Sequence, residues 1–270
     1  MKVDLLYEHK AGRGLMKFLM KSGILKPAAW FLKTKPSKLL IGPYIKSNSI
    51  DMSPFQGQKY DSFAEFFARK KEETGFDFNE NDMLSPCDGL FSIYPIEEYL
   101  EIPVKGSRYV IEDFIPDHSY AEKFAGGLCL VFRLEASDYH HFCYFDDCLH
   151  CETHFIEGEL HSVQPIAVRQ YPVYRLNRRW WTKLYTKHFG HAAQIEVGAV
   201  LVGGVTHVHE GGYHHRGEEM GNFELCGSTI LLMLPAHVRT SLVFHKKVQP
   251  AWNGEEEVRV KMGESIGYLR

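Results

Sequence analysis

From about residue 84 the chain is a succession of short apolar segments broken by Gly, Pro and Asp. Examples are "GLFSIYPI", "GLCLVFRL", "GELHSVQPIA", "AAQIEVGAVLVGGV", "STILLMLP" and "EEVRVKMGESIGYL". Their β-branched and aromatic residues predict strands. The first third is patterned differently. In "KAGRGLMKFLMKSGILKPAAWFLKTKPSKLL", helical spacing puts Lys10, Arg13, Lys17 and Lys21 on one side and Leu15, Phe18 and Leu19 on another. Pro27 is expected to end or kink that helix, ahead of Trp30, Phe31 and Leu32. A second helix is predicted in "DSFAEFFARKKEE", where Ser62 and Glu65 stand at capping-box spacing before Phe63, Phe66 and Phe67. "VHEGGYHHRGEEMGN" is expected to be a long mobile loop. The fold expected is α+β: N-terminal helices followed by a mainly antiparallel β-rich body, without internal repeats. Residues 1–50 form a basic amphipathic segment and residues 51–270 the body.

Composition narrows this little: 270 residues with 44% hydrophobic and 24% charged suit an ordinary globular core. Six cysteines, without the pattern of a secretory leader, point to a reducing intracellular compartment rather than a disulfide framework. No apolar stretch approaches the ~20 residues that cross a bilayer. Charge changes the picture more. Residues 1–50 hold ten Lys or Arg against Asp4 and Glu8, so a net charge of −3 hides +8 there and −11 in the remainder. A basic helix with Leu and Phe on its other face either lies among the headgroups of an anionic membrane or packs on its own domain. The bulky aliphatic residues between the charges argue against nucleic acid.

Three groups of residues could carry chemistry. "CYFDDCLHCETH" offers Cys143, Cys148, Cys151 and His154, in principle four zinc ligands, although the first spacing is loose; thiols in a hairpin are the plainer reading. "THVHEGGYHH" offers His207, His209, His214 and His215. His-x-His on a strand points both rings to one face, as in metal-binding β-barrels, but a solvated, pH-sensitive loop explains it as well. The third group is dispersed: "SPCDG" (residues 85–89), "DYHHF" (138–142), "GELHSVQPIA" (158–167), "IEVGAVLVG" (195–203) and "MGNFELCGSTILL" (220–232). Taken alone, Gly227, Ser228 and Thr229 read as a turn entering a strand.

In that order these five motifs resemble the phosphatidylserine decarboxylase family, pyruvoyl-dependent enzymes that make phosphatidylethanolamine. The resemblance runs from about residue 83 to the C-terminus. It implies self-cleavage between Gly227 and Ser228 into residues 1–227 and 228–270, which stay associated. The Ser228 hydroxyl attacks the Gly227 carbonyl, the ester eliminates to a dehydroalanine, and loss of ammonia leaves a pyruvoyl group. That carbonyl forms a Schiff base with phosphatidylserine and takes up the electrons released with CO2, the task pyridoxal phosphate performs elsewhere. Gly227 permits the strained approach, and Ser228 needs a base and an oxyanion stabiliser. The family's assisting Asp and His fall on Asp88 and His140, with His140 the candidate for proton transfer to the α-carbon.

There are two departures. Cys143 stands where many members carry a second His that activates the cleavage Ser; shorter bacterial members resemble this chain in carrying Cys. The base for Ser228 is therefore open among Asp88, His140, His161 and the His-rich loop, with Cys143 and Thr229 as further assisting candidates. Cys226 replaces a Leu. The resemblance further implies a peripheral protein on the cytoplasmic face of a bacterial membrane, and it leaves a homo-oligomer open. Two other readings are a metal-dependent β-barrel enzyme using His207 and His209, and a processing-dead lipid-surface protein of the same fold.

Overall fold

The computed structural model describes residues 25–72, 75–104, 107–199, 204–225, 228–252 and 254–270, with positions 9 and 12. Lys10, Arg13, Lys17 and Lys21 lie outside the described residues, as do Cys226 and Gly227. Helix α1 spans Leu25–Leu32 and contains Pro27; the preceding stretch that Pro27 is expected to end or kink lies, but for position 12, outside the described residues. A proline removes a single backbone donor, and the segment turns only after Leu32. A 3-10 turn, Lys35–Leu40, leads to α2, Ile41–Asn48, and α3 is Phe63–Phe67. Ser62 caps α3 by accepting from Glu65 N at 3.2 Å. Glu65 Oε2, however, accepts from Asp61 N at 2.6 Å rather than from the cap residue itself. The Phe stripe of α3 is buried with Ile50 and Leu225, and Leu32, Ile41, Tyr44 and Ile45 pack against it.

The rest is mainly strand, as the sequence texture predicts. In chain order they are β1 (Asp82–Leu84), β2 (Gly89–Pro95), β3 (Glu101–Val104), β4 (Ser107–Val110), β5 (Leu128–Leu134), β6 (His141–Cys143), β7 (Cys148–Ile156) and β8 (Arg179–Thr186). They continue with β9 (Gly190–Val197), β10 (Val205–His207), β11 (Gly212–His214), β12 (Glu219–Phe223), β13 (Ser228–Leu234), β14 (Leu242–Phe244), β15 (Val258–Val260) and β16 (Ser265–Leu269). One eight-stranded sheet has the order β11-β7-β8-β9-β13-β5-β2-β15; smaller sheets are β10-β12-β6, β1-β16-β14 and β3-β4. Every strand pairing within these sheets is antiparallel. The chain is α+β, with the helices leading into an antiparallel body.

Two expected elements differ. "GELHSVQPIA" is not a strand: Glu159 makes one isolated bridge to Asn177, and Pro165–Gln170 is a helix, with Pro165 in the first turn where its missing N–H costs nothing. The expected long loop of residues 208–222 contains β11 and the start of β12, held by pairing with β7 and β6. Polar side chains conceal such strands, because backbone pairing needs no apolar residue.

β13 lies between β5 and β9 and is buried along its whole length. Its side chains alternate between two cores. Ile230, Leu232 and Leu234 join Phe91, Leu130, Phe132 and Leu134, while Leu231 and Met233 join Cys129, Val131, Ile195 and Val197. Layers on both faces make an antiparallel strand read as one continuous apolar run. Phe132 is fully buried and stacks on Phe91 at 4.8 Å between centroids. Phe132→Ala is expected to cost about 3–5 kcal/mol, read as a lower urea midpoint at unchanged slope; a loss under about 1 kcal/mol would show that this face repacks freely.

Candidate active site

Strand register gathers the dispersed motifs at one end of the large sheet. Ser228 opens β13 opposite Leu134, the last residue of β5. Next to it on β5, Arg133 pairs with Leu90 at the start of β2, directly after Asp88 and Gly89. The backbones approach closely there: a Cβ on Gly89 would lie 2.9 Å from the Arg133 carbonyl oxygen, which is why Gly follows the Asp. The chain leaving β5 turns through residues 135–140 into β6. β6 then runs beside the 85–89 segment, with Cys87 bridged to Phe142 and Cys143 N donating to Pro86 O at 2.8 Å.

Strand alternation decides which layer Ser228 meets. It shares a face with Ile230, whose core includes Phe142 and Phe223 of the β10-β12-β6 sheet. His140 precedes β6 in that layer, and its carbonyl accepts from Phe223 N at 2.9 Å. Thr229 points to the opposite layer. Ser228 and Thr229 are both buried, and Thr229 Oγ1 has no hydrogen-bond partner among the described residues.

His140 is completely buried, its ring 4.2 Å from that of Phe67 on α3. Nδ1 lies 2.9 Å from Asp138 O. A carbonyl only accepts, so Nδ1 carries the hydrogen and Nε2 keeps its lone pair. Nε2 is buried without a partner among the described residues. Burial holds the imidazole down to about 3, aided by the charge of Arg69 and opposed by the Asp138 carbonyl and the charge of Asp88. The ring is therefore neutral throughout the physiological range.

Asp88 is buried and bonded away from His140. Oδ1 accepts from Met262 N at 2.8 Å and Oδ2 from Lys261 Nζ at 3.1 Å. Both donors follow β15, whose Arg259 also donates to Asp138 Oδ1 at 2.6 Å. Burial raises the Asp138 carboxyl above its ordinary range, against the Glu135 N–H and Arg259, which lower it. Arg69 is buried too, with Nη2 3.4 Å from Asp138 O and its guanidinium over Phe55 and Phe66.

The other candidates divide. Cys143 sits among Phe55, Tyr139 and Met262, and burial pushes its thiol up to about 12. It adjoins the Asp88 segment but stays a neutral thiol. His161 belongs to the other layer: its Nε2 meets Glu159 Oε2 at 2.7 Å and its ring stacks on Tyr171. Asn177 binds both the His161 backbone and the Gly198 carbonyl, so His161 borders the same sheet end from the Thr229 side. The four zinc candidates are not brought together: Cys143 and Cys148 are in separate cores, Cys151 is exposed and His154 stacks on Trp181. Nor do His207 and His209 share a site. His207 Nε2 lies 3.4 Å from Glu196 Oε2, whereas His209 Nε2 lies 3.1 Å from Glu218 Oε1. His215 is exposed beside Asp147.

Sequence reading passed over Lys261, Arg259, Arg69 and Glu196. Glu196 alone left a signal, a carboxylate inside an otherwise apolar strand; it is fully buried against Gln194 Nε2 at 2.9 Å. The others are ordinary basic residues until the fold brings them to the site.

The sequence model of the phosphatidylserine decarboxylase family matches residues 62–268. Phosphatidylserine decarboxylase proenzyme 2 of Clostridium acetobutylicum is 34% identical, covering 98% of this chain and 91% of its own. The proenzyme of Ruminiclostridium cellulolyticum is 34% identical, covering 98% and 90%. That of Chlamydia felis is 32% identical over the same shares, 98% and 90%. With the family match spanning Asp88, His140 and Ser228, the chain belongs to the phosphatidylserine decarboxylase family.

Proposed function

We propose that this chain decarboxylates phosphatidylserine to phosphatidylethanolamine, after cutting itself between Gly227 and Ser228 and converting Ser228 to a pyruvoyl group. The observation that carries this is the convergence, at one sheet end, of a buried Ser228, a neutral buried His140 whose Nε2 has no partner among the described residues, and Asp88. Polar atoms without a partner among the described residues on both sides, His140 Nε2 and Thr229 Oγ1, suit a site that must hold a new carbonyl at the head of β13. When formed, the pyruvoyl group supplies an electron-accepting carbonyl next to the substrate nitrogen.

The roles of this chain's own side chains follow from their protonation. His140 Nε2 holds a lone pair, so it is set to accept a proton first and to donate one afterwards. In processing, that lone pair takes the Ser228 hydroxyl proton as oxygen attacks the Gly227 carbonyl. In turnover, it takes a proton from the substrate ammonium and returns it to the α-carbon after CO2 leaves. Asp88, fixed by Lys261 and the Met262 N–H, holds negative charge beside the ring and favours the transient imidazolium. Thr229 and His161 bound the site on the opposite layer.

Residues 1–50 are proposed to seat the enzyme on an anionic membrane surface, with their described part packed on the body formed by residues 51–270. Trp30, Phe31, Leu39 and Leu40 are exposed on the described part of that segment, beside Lys33, Lys35 and Lys38. No described helix is long and apolar enough to cross a membrane.

Intact-mass spectrometry under denaturing conditions is expected to find residues 1–227 and a pyruvoyl-blocked 228–270 in wild type, and one uncut, inactive chain in Ser228→Ala. An active wild type that remains one unmodified chain would refute the proposal. Among cleaved molecules, His140→Gln should lower kcat by about 10²-fold or more.

Acid stability tests the neutral ring. In the unfolded chain His140 binds a proton below its ordinary value of 6.5, while in the fold it does so only near 3. The unfolded state therefore holds more protons between those values, and stability falls as pH drops from about 6.5 toward 3. Urea midpoints of His140→Gln should fall less steeply across pH 7 to 4.5 than those of wild type. His150, held down to about 4 mainly by burial, keeps part of the slope in both. Equal slopes would mean that His140 takes up its proton over the same pH range folded as unfolded.

Neutralising Lys17 and Lys21 together is expected to weaken sedimentation with phosphatidylserine vesicles by about 30-fold, at about 1 kcal/mol per charge. Unchanged binding would place the membrane contact elsewhere.

A further inference from the structure

Away from Ser228, at the edge strand of the large sheet, His209, His214 and Glu218 bring one donor atom each to within 4.8 Å of one another. His214 ends β11, and Glu218 closes the tight turn before β12. His209 Nε2 lies 3.1 Å and His214 Nδ1 2.9 Å from the same atom, Glu218 Oε1. We propose that these three side chains bind a divalent ion of the zinc class, which fastens β11 to the start of β12.

Hydrogen-bond accounting favours a cation there. A carboxylate oxygen accepts only, so each imidazole aimed at Oε1 must bring a hydrogen or share a cation with it. His214 Nε2 already faces another acceptor, Gly211 O, at 3.3 Å. A neutral ring has one N–H and cannot serve both. Serving both acceptors without a metal takes a second hydrogen on His214, whose ring lies 4.2 Å from that of His209 between centroids; His209 needs only its single N–H. One divalent ion among the three donors removes the conflict: both rings stay neutral, His214 Nε2–H donates to Gly211 O, and the metal takes the lone pairs.

The surroundings are those of a prepared site. Glu218 Oε2 accepts from His215 N at 3.0 Å, which leaves Oε1 facing the rings. Tyr144 stacks on His214 at 4.6 Å and 2°, fixing that ring, and the Gly211 carbonyl sets its tautomer. The nearby His150 is not a ligand, because its nitrogens are taken by the Tyr144 hydroxyl and Thr153 Oγ1 at 2.8 Å each. Two imidazoles and a carboxylate form a known zinc donor set, and zinc bonds of about 2.0–2.2 Å put tetrahedral ligands roughly 3.3 Å apart. The observed 2.9 and 3.1 Å need open by only a few tenths of an ångström. The side chains of His209 and Glu218 are about one third exposed, leaving an open side for a water ligand and for metal to enter.

The test uses tag-free, fully processed protein, stripped with chelator and titrated with ZnCl2 calorimetrically. Wild type should bind one equivalent at micromolar Kd or tighter, and His209→Gln and Glu218→Gln should each weaken binding at least 30-fold. His215→Gln, an exposed neighbour outside the donor set, should bind as wild type does. Co2+ in place of Zn2+ should give a tetrahedral visible band in wild type that is lost in the same two variants, each first checked for cooperative unfolding. Absence of saturable binding in wild type, or equal binding in folded His209→Gln and Glu218→Gln, would overturn the proposal.

Discussion

The arrangement depends on the burial of β13 on both faces. Seven consecutive residues, Ser228–Leu234, pair with β5 on one side and β9 on the other and divide their side chains between two cores. A register slip of one residue would send each side chain into the wrong core, so the strand has one position available. Ser228 inherits that precision. Its hydroxyl lies on the face of Phe142 and Phe223, the layer that contains His140, because Ile230 and Leu232 must occupy that core. Chemistry at the head of this strand is therefore positioned by apolar packing along its length.

A second, polar constraint comes from the opposite edge of the sheet. β15 pairs with β2, and the residues on it and just after it hold two parts of the site. Lys261 and the Met262 N–H bind Asp88, while Arg259 binds the Asp138 carboxylate. Asp138 is fixed again by the Glu135 N–H at 2.7 Å, and its carbonyl is the acceptor that settles the His140 tautomer. An edge strand thus influences a fully buried ring through two links. Ion pairs of half-exposed Lys and Arg contribute little to stability; their significance here is geometric.

Much of this was legible in the chain, and the limits have physical causes. "STILLML" announces a buried strand because both of its faces are covered, and "SPCDG" and "DYHHF" stand out because their Asp and His are polar residues among inward-facing apolar ones. Glu196 carried the same mark. Lys261 and Arg259 carried none, since their partners lie more than a hundred positions away and only strand register joins them. The segment around Ser162 misled for the opposite reason: a short apolar run behind Gly158 looks like the other strands, while Pro165 starts a helix. β11, "GYH", is too short and polar to show a period at all. The pairing of His209 with His214 and Glu218, rather than with His207, appears only once that hairpin is folded.

Cys143 shows how sequence departure and structure combine. At neutral pH, a thiol held at about 12 by burial is neither a base for a serine nor a charge to orient a histidine. Its contacts are those of a packing residue: Sγ lies 3.9 Å from Ser85 O, among Phe55, Tyr139 and Met262. Among the described residues His140 Nε2 is a neutral buried nitrogen without a partner, next to a carboxylate that cannot leave its Lys261 and Met262 partners without exposing a buried charge. With Cys143 inert, the proposed self-cleavage and the proposed decarboxylation draw on that same nitrogen. The two steps make compatible demands, because each begins by taking a proton, from the Ser228 hydroxyl in one and from the substrate ammonium in the other. A neutral ring has the lone pair that both steps need, and the charge of Asp88 offsets part of what burial costs the imidazolium that each step forms.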